Sequence, residues 1–404
     1  MMMKRFIYFL AAVVLTGCAP EQLGGDQTFR KIVNSPLAST AYEDGTDALP
    51  AVTSGGSNVP QGTNIDRPFP VNGKKKGVTW QVTTVCDGIK YYHGYGKPTE
   101  TWMDGGNSRY QELYVIALDL TKTQYKVKLV KSTTSIPTST AFAQTGAIAA
   151  INCAYEFTSI AMRANAILNT ATGQLVNYPN GKVVATMPND YIGNTTVPNW
   201  KSEGAFYCDG ERGVRIAFDR YNGGCTDNNG TGTTVKSLSS IRSYYNTGSI
   251  PEAGFVSSAP ILAANYTLFG RTFVTRNSST SGGGEAPGNH QSQYCSRTAV
   301  AIAYPDGVTP HLLLIVCDGR YNLSNHGYGM SALWLTRYIA NYFGPRHMLN
   351  LDGGGSSTMC VMNQGDATTH VVNYPTDNCN NGTVANHSGE RNRPSFIVIV
   401  PAGS

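Results

Sequence analysis

The run Asp352-Gly353-Gly354-Gly355-Ser356-Ser357 is the densest local concentration of groups able to do chemistry in this chain. Three glycines permit positive φ and leave backbone N–H groups open to close approach by an anion or a sugar. Two hydroxyls add adaptable donors, and Asp352 puts a negative charge at the entry to the turn. The plainer alternative is a tight turn whose Asp caps its own backbone. A nucleotide loop is excluded, because no Gly-Lys-Ser/Thr follows and no helix opens after the glycines. Asp318-Gly319-Arg320 sets a carboxylate beside a guanidinium, the group suited to bidentate phosphate recognition, or else a structural salt bridge. Asn152 and Glu156 could supply an amide and a second acid, and Arg163 a further cation; Glu156 and Arg163 are equally at home in solvent. His326 is a lone loop imidazole. No HExxH, Cys/His cluster or GxSxG elbow occurs, so transition-metal and serine-hydrolase readings drop out. No metal or other cofactor is expected, with Ca²⁺ held by loop oxygens the one case left open.

These residues need strand ends to hold them. Residues 298–304 and 311–316 are β-type runs joined by Pro305-Asp306-Gly307, a hairpin signal. If residues 304 and 311 oppose each other, Arg297 stands beside Asp318. Residues 330–343 show helical spacing, with Trp334, Leu335, Tyr338, Ile339 and Tyr342 on one face and Gly344-Pro345 as the stop. Residues 347–351 form the next strand, and 358–362 read as its hairpin return. The strand–helix–strand order predicts parallel strands at 311–316 and 347–351, with Asp318 and Asp352 leaving at one sheet edge, where ligands bind. Residues 145–151 read as a further apolar strand delivering Asn152 and Glu156. The expected class is α+β: a β-rich mixed sheet core with a few helices, including that strand–helix–strand unit.

Composition supports this. Charged residues are 14% of 404, against about 25% in an average soluble protein, which argues against an acidic solvating chain or a coiled coil. The 44 Gly and 20 Pro suit a turn-rich β protein. Net charge is +5 with no basic run longer than Lys74-Lys75-Lys76, so nucleic acid is not the expected partner.

Residues 1–18 combine Lys4 and Arg5 with an apolar stretch too short to span a bilayer, followed by Leu15-Thr16-Gly17-Cys18. This resembles a bacterial lipobox, with lipidation at Cys18, and the alternative is an ordinary secretory signal. Residues 19–73 lack core-forming pattern and read as a flexible tether, and 74–404 as one domain. The expected protein is an exported lipoprotein, periplasmic or at the cell surface, touching membrane through its anchor only. The eight cysteines after Cys18 permit up to four disulfides; Cys208 with Cys225 and Cys360 with Cys379 are plausible local pairs, while Cys153 and Cys317 suit buried thiols.

Asp318-Gly319-Arg320, Gly329-Met330 at a helix start, and the run from Leu349 to Met359 together resemble the phosphodiester glycosidase family. Arg297-Thr298-Ala299, residues 147–156, Val372-Asn373-Tyr374-Pro375 and residues 391–398 extend the resemblance in weaker form, over about residues 75–402. Cys153-Ala154 depart from it by replacing glycines, and the stretch from about 170 to 295 is a long insertion. The resemblance implies hydrolysis of a sugar 1-phosphodiester, such as an α-N-acetylglucosamine 1-phosphodiester, between anomeric carbon and phosphate oxygen. Phosphate leaves readily, so the demand is for anion clamping and a carboxylate at the oxocarbenium-like centre. Arg297, Arg320, Asn152, Arg163 and the 353–357 turn are then candidate binding residues, and Asp352, Asp318 and Glu156 candidate catalytic ones. Two other readings stand beside it: a non-catalytic polysaccharide-binding lipoprotein, and a phosphodiesterase cleaving at phosphorus.

Overall fold

The computed structural model describes residues 68–99, 109–157, 160–186, 201, 204–218, 254–264, 266–270, 291–380 and 382–404. Its strands, in chain order, are β1 (Gly73–Lys75), β2 (Val78–Cys86), β3 (Ile89–Gly96), β4 (Gln111–Asp119), β5 (Tyr125–Ile136), β6 (Ala149–Asn152), β7 (Met162–Asn169), β8 (Gln174–Ala185) and β9 (Gly204–Cys208). Then follow β10 (Val214–Phe218), β11 (Gly254–Ser258), β12 (Ile261–Ala264), β13 (Thr267–Leu268), β14 (Arg297–Ala303), β15 (His311–Cys317), β16 (Pro345–Asn350), β17 (Met359–Val361) and β18 (Arg393–Pro401). Helix α1 is Thr138–Thr145 and helix α2 is Ala332–Phe343. Among the described residues the strands form two sheets, β1-β2-β3-β4-β15-β14-β16-β12-β13 and β10-β9-β11-β7-β5-β18-β6-β17, with β8 beside β7. The described residues are thus β-rich with few helices.

Period-two alternation distributes the strand residues over layers. On β15, Leu312, Leu314 and Val316 enter the core shared by both sheets, while Leu313, Ile315 and Cys317 face α2. On β14, Val300 and Ile302 point to the shared core, and Ala299, Ala301 and Ala303 let α2 pack close. On β18, Ile397 and Ile399 point inward, and Phe396, Val398 and Val400 pack outward with Phe142 of α1. Burial on both faces explains why these segments read as continuous apolar runs.

Ser331 caps α2 by accepting from the Trp334 N–H, and Gly344 ends it at φ +54. Strands β15 and β16 do not pair with each other. Both run antiparallel to β14, which lies between them, so they point the same way and end at the same sheet edge.

Several sequence expectations are corrected. Arg297 opposes Cys317, not Asp318, because β14 and β15 pair Ala303 with His311: the register is one residue off. Residues 358–362 make no hairpin with β16; β17 joins the other sheet, pairing Met359 with Ile151, so the glycine turn bridges the sheets. The predicted strand at 145–151 divides into the end of α1 and the start of β6. Cys360 and Cys379 are free thiols, and so is every described cysteine; Cys360 packs in the outer core beside Phe142 and Val371. Cys208 instead donates to Asn165 Oδ1 at 2.9 Å, and Cys225 lies outside the described residues. Cys18 and the tether up to residue 67 are also outside them.

Candidate active site

The ends of β6, β15 and β16 and the starts of β14 and β18 meet at one end of the two sheets. The sheets are stitched there by Asp352: its N–H donates to Cys153 O at 3.1 Å, and its carbonyl accepts from Asn152 Nδ2 at 2.7 Å. Asn152 Oδ1 in turn accepts from Thr298 Oγ1 at 2.8 Å and from the Thr358 N–H at 3.1 Å. Asn152 is fully buried, its amide holds the turn, and it is not part of the cavity lining. Asn373 clamps the other end, donating to Ser357 O at 3.0 Å and accepting from the Met359 N–H at 2.8 Å.

The glycines of the turn have separate physical reasons. Gly354 sits at φ +64, and a Cβ there would lie 3.0 Å from the Arg320 guanidinium. A Cβ at Gly355 would overlap Asp377 Oδ1 and the Arg391 guanidinium. Absent side chains therefore let two guanidinium groups lie against the turn. A cavity of about 220 Å³ opens over it, lined by Tyr155, Arg297, Arg320, Asp352, the three glycines and Arg391, with Gln293 and Cys295 completing the wall.

Asp352 is nearly buried at this cavity. Its carboxyl is held above the usual range by loss of solvent, a shift opposed chiefly by Arg393 and then by Ser356, Lys201 and Arg391. Arg393 Nη2 stands 2.9 Å from Asp352 Oδ2. Arg391 is bound side-on by Asp377, with Nε–Oδ2 2.8 Å and Nη2–Oδ1 2.7 Å. Lys201 lies over the Tyr155 ring at 4.8 Å. The Arg320 side chain is exposed, and among the described residues its guanidinium has neither a hydrogen-bond nor an ion-pair partner. Arg320 itself adopts φ +68, a left-handed conformation that costs a non-glycine residue on the order of 1 kcal/mol.

The other sequence candidates are placed differently. Arg297 lines the cavity but is fully buried, with Nε on Met330 O at 3.0 Å and Nη2 on Gln293 O at 2.8 Å. Asp318 is fully buried outside the cavity lining. It accepts from Tyr114 Oη at 2.9 Å, Asn373 Nδ2 at 3.1 Å and the Tyr374 N–H at 3.1 Å. Burial first, then the Glu112 charge, push its carboxyl well above the usual range. Ser356 and Ser357 are buried, Ser356 toward Asp352 and Ser357 toward Thr298 Oγ1 at 3.1 Å. Glu156 is exposed and close enough to Arg391 to influence its charge. Arg163 lies on β7, donating to Asn180 O at 3.3 Å, and does not line the cavity.

Arg391, Arg393, Asp377, Tyr155 and Lys201 were not singled out from sequence. One signal was present: Arg391 and Arg393 are two apart at a strand start, and such residues share a side.

A sequence profile of the phosphodiester glycosidase family matches residues 145–400. No curated protein matches. Among solved structures, the zebrafish N-acetylglucosamine-1-phosphodiester α-N-acetylglucosaminidase catalytic domain, auto-inhibited by its pro-peptide, is similar at 16% identity and TM-score 0.44. That match covers 88% of this chain and 99% of that one. A protein of Burkholderia pseudomallei K96243 described as exported matches at 12% identity and TM-score 0.45, covering 88% of this chain and 100% of that one. A hypothetical protein from Synechocystis matches at 13% identity and TM-score 0.40, over 79% and 63% of the two chains.

Proposed function

The chain belongs to the phosphodiester glycosidase family, and we propose that it hydrolyses a sugar 1-phosphodiester between the anomeric carbon and the phosphate oxygen. The observation that carries this reading is one cavity in which the buried Asp352 carboxyl and the Arg320 guanidinium, without a partner among the described residues, flank a glycine turn. Arg320 binds the phosphate anion, with Arg391 beside it; the turn's N–H groups at Asp352, Gly354, Ser356 and Ser357 already donate to backbone carbonyls, so the guanidinium groups carry the anion. The anomeric carbon lies toward Asp352. As the C1–O bond breaks, its electron pair leaves with the phosphate, and positive charge grows on the sugar ring. Water adds its oxygen to C1 and gives a proton to the Asp352 carboxylate. Arg393 keeps that carboxylate ionised enough to accept it, against the desolvation that raises it.

Positive charge at the cavity is matched to this division. Arg391 is paired with Asp377 and Arg393 with Asp352, whereas no described residue pairs with Arg320, whose charge is matched to a phosphodiester monoanion. We place the activity on an exported lipoprotein held by Cys18; Cys18→Ser should then release it from membranes.

Hydrolysis of an α-N-acetylglucosamine 1-phosphodiester in ¹⁸O-labelled water tests the reading. Label on the sugar supports it, and label on phosphate makes the protein a phosphodiesterase acting at phosphorus. No turnover across a panel of sugar 1-phosphodiesters would leave polysaccharide binding as the surviving function.

A further inference from the structure

The opposite end of the first sheet carries a second cavity, of about 510 Å³, within the size range of ligand pockets at roughly 300–1,000 Å³. Its floor follows from register. Thr84 pairs with Lys90 and Lys90 with Ala117, a row across β2, β3 and β4, and Asp119 pairs with His311 beside it. Tyr92 lies two residues from Lys90, so it shares that face. This is the face covered by α2 elsewhere, since Tyr92 and Ala117 belong to the cluster around Phe343. The small Ala117 leaves a depression past the end of the helix. Phe69 walls it, with ring centroids 5.4 Å from His311 and 6.1 Å from Tyr92.

Polar groups at the rim are only partly used. His311 Nδ1 lies 3.0 Å from Thr309 O, which assigns the ring proton to Nδ1 and leaves Nε2 an acceptor that no described residue uses. Burial holds this imidazole below its ordinary value, hence neutral. Asp119 uses Oδ1 on the Thr121 N–H (2.9 Å) and Oγ1 (2.6 Å), and among the described residues nothing uses Oδ2. The Lys90 ammonium is exposed and, among the described residues, has no ion-pair or hydrogen-bond partner. One cationic donor and two acceptors therefore border an aromatic and aliphatic floor. Asp87 and Lys122, also in the lining, neutralise each other at 2.9 Å; an anion would then meet the carboxylates of Asp119 and Asp306 against Lys90 alone, and a purely apolar ligand would strand the polar rim. Vicinal hydroxyls satisfy both kinds of group, and the apolar face of a pyranose covers the floor.

We propose that this cavity binds a neutral carbohydrate, at a site separate from the candidate active site. The two lie at opposite ends of β15, about 20 Å apart at roughly 3.3 Å per strand residue. Binding here holds the protein on a glycan while the other end works, and it does not depend on the hydrolytic reading.

Affinity electrophoresis of the full chain in native gels containing dextran, yeast mannan or arabinoxylan tests it. At least one polysaccharide should retard the wild-type protein. Lys90→Ala, which removes an exposed donor, and Thr84→Trp, which fills the cavity from its rim, should each weaken retardation by about tenfold or more in polysaccharide concentration. Both variants should hydrolyse a small sugar 1-phosphodiester as the wild type does, and Asp352→Asn should still be retarded. Absence of retardation by all three polysaccharides overturns the proposal. So does equal retardation of the Lys90 and Thr84 variants, or loss of retardation in Asp352→Asn, which would assign the binding to the catalytic cavity.

Discussion

Asp318 and Asp352 begin from nearly the same local sequence, an Asp-Gly pair leaving the carboxyl end of strands that point the same way. Their surroundings then diverge. Asp318 is enclosed by a tyrosine hydroxyl, an asparagine amide and a backbone N–H, with Glu112 nearby. Asp352 borders a cavity among cations, with Arg393 at 2.9 Å and Arg320 and Arg391 lining the same space. Both carboxyls are raised by burial, so a raised value does not separate them. Access to a ligand does. Perturbed titration marks both structural and reactive acids, and on the proposed function the cavity singles out Asp352.

The sharpest way to break this comparison is Asp352→Asn. It keeps size while removing the charge, and turnover should fall by about a hundredfold or more in a protein that still unfolds cooperatively, its melting temperature shifted by loss of the Arg393 ion pair. Near-normal turnover in the folded variant would transfer the role to Glu156, the other acid on the Arg391 side. Next in size is Arg320→Ala. Loss of one charge-assisted contact costs on the order of 1.5–3 kcal/mol, read as a roughly tenfold to hundredfold drop in kcat/KM on a phosphodiester. An unaffected kcat/KM would remove Arg320 from the phosphate site.

Gly355→Ala tests the turn itself. The added methyl must displace the Arg391–Asp377 pair, so kcat/KM should fall by about tenfold, in line with a hydrogen-bonded pair lost. Steady-state kinetics beside Gly403→Ala, where a Cβ meets nothing within 4 Å and φ is not positive, controls for the backbone change.

The smallest effect is expected at Asp318. Asp318→Asn should leave kcat within a few-fold, since Oδ1 can still accept from Asn373 and Tyr374 and the new amide can donate to Tyr114. Its signature lies in the pH dependence of stability. The Asp318 carboxyl is raised in the folded state, so the native protein binds the extra proton above the ordinary value of 3.8. The wild type therefore loses this contribution as pH rises from about 4 through the native value, and the Asn variant does not. Melting temperatures of the two proteins should diverge in favour of the variant as pH rises; parallel curves would show that Asp318 is ionised at no cost.

Much of the scaffold was legible locally. The alternation in β14 and β15, the face of α2 and its Gly344 stop all follow from side-chain period and capping, which act over a few residues. The Asp-Gly-Gly-Gly-Ser-Ser run was legible for the same reason. The register of the β14–β15 hairpin was not: one residue of slip replaces Asp318 by Cys317 opposite Arg297, and a turn motif does not specify it alone. Nor was the choice of sheet for β17, which turned an expected hairpin into a bridge between sheets.

By itself, the amino-acid sequence determined the strand and helix segments of the carboxy-terminal third, the glycine turn and the resemblance to a family. Only the tertiary structure decided which ionisable groups share a cavity. Arg391 and Arg393 reach Asp352 because β18 pairs with β6, whose end is stitched to the turn through Asn152. Asp318 is withdrawn because Tyr114 and Asn373, distant in the chain, close over it. Periodicity and capping are settled by neighbours along the backbone, whereas desolvation and charge pairing are settled by whatever the folded chain brings within a few ångströms.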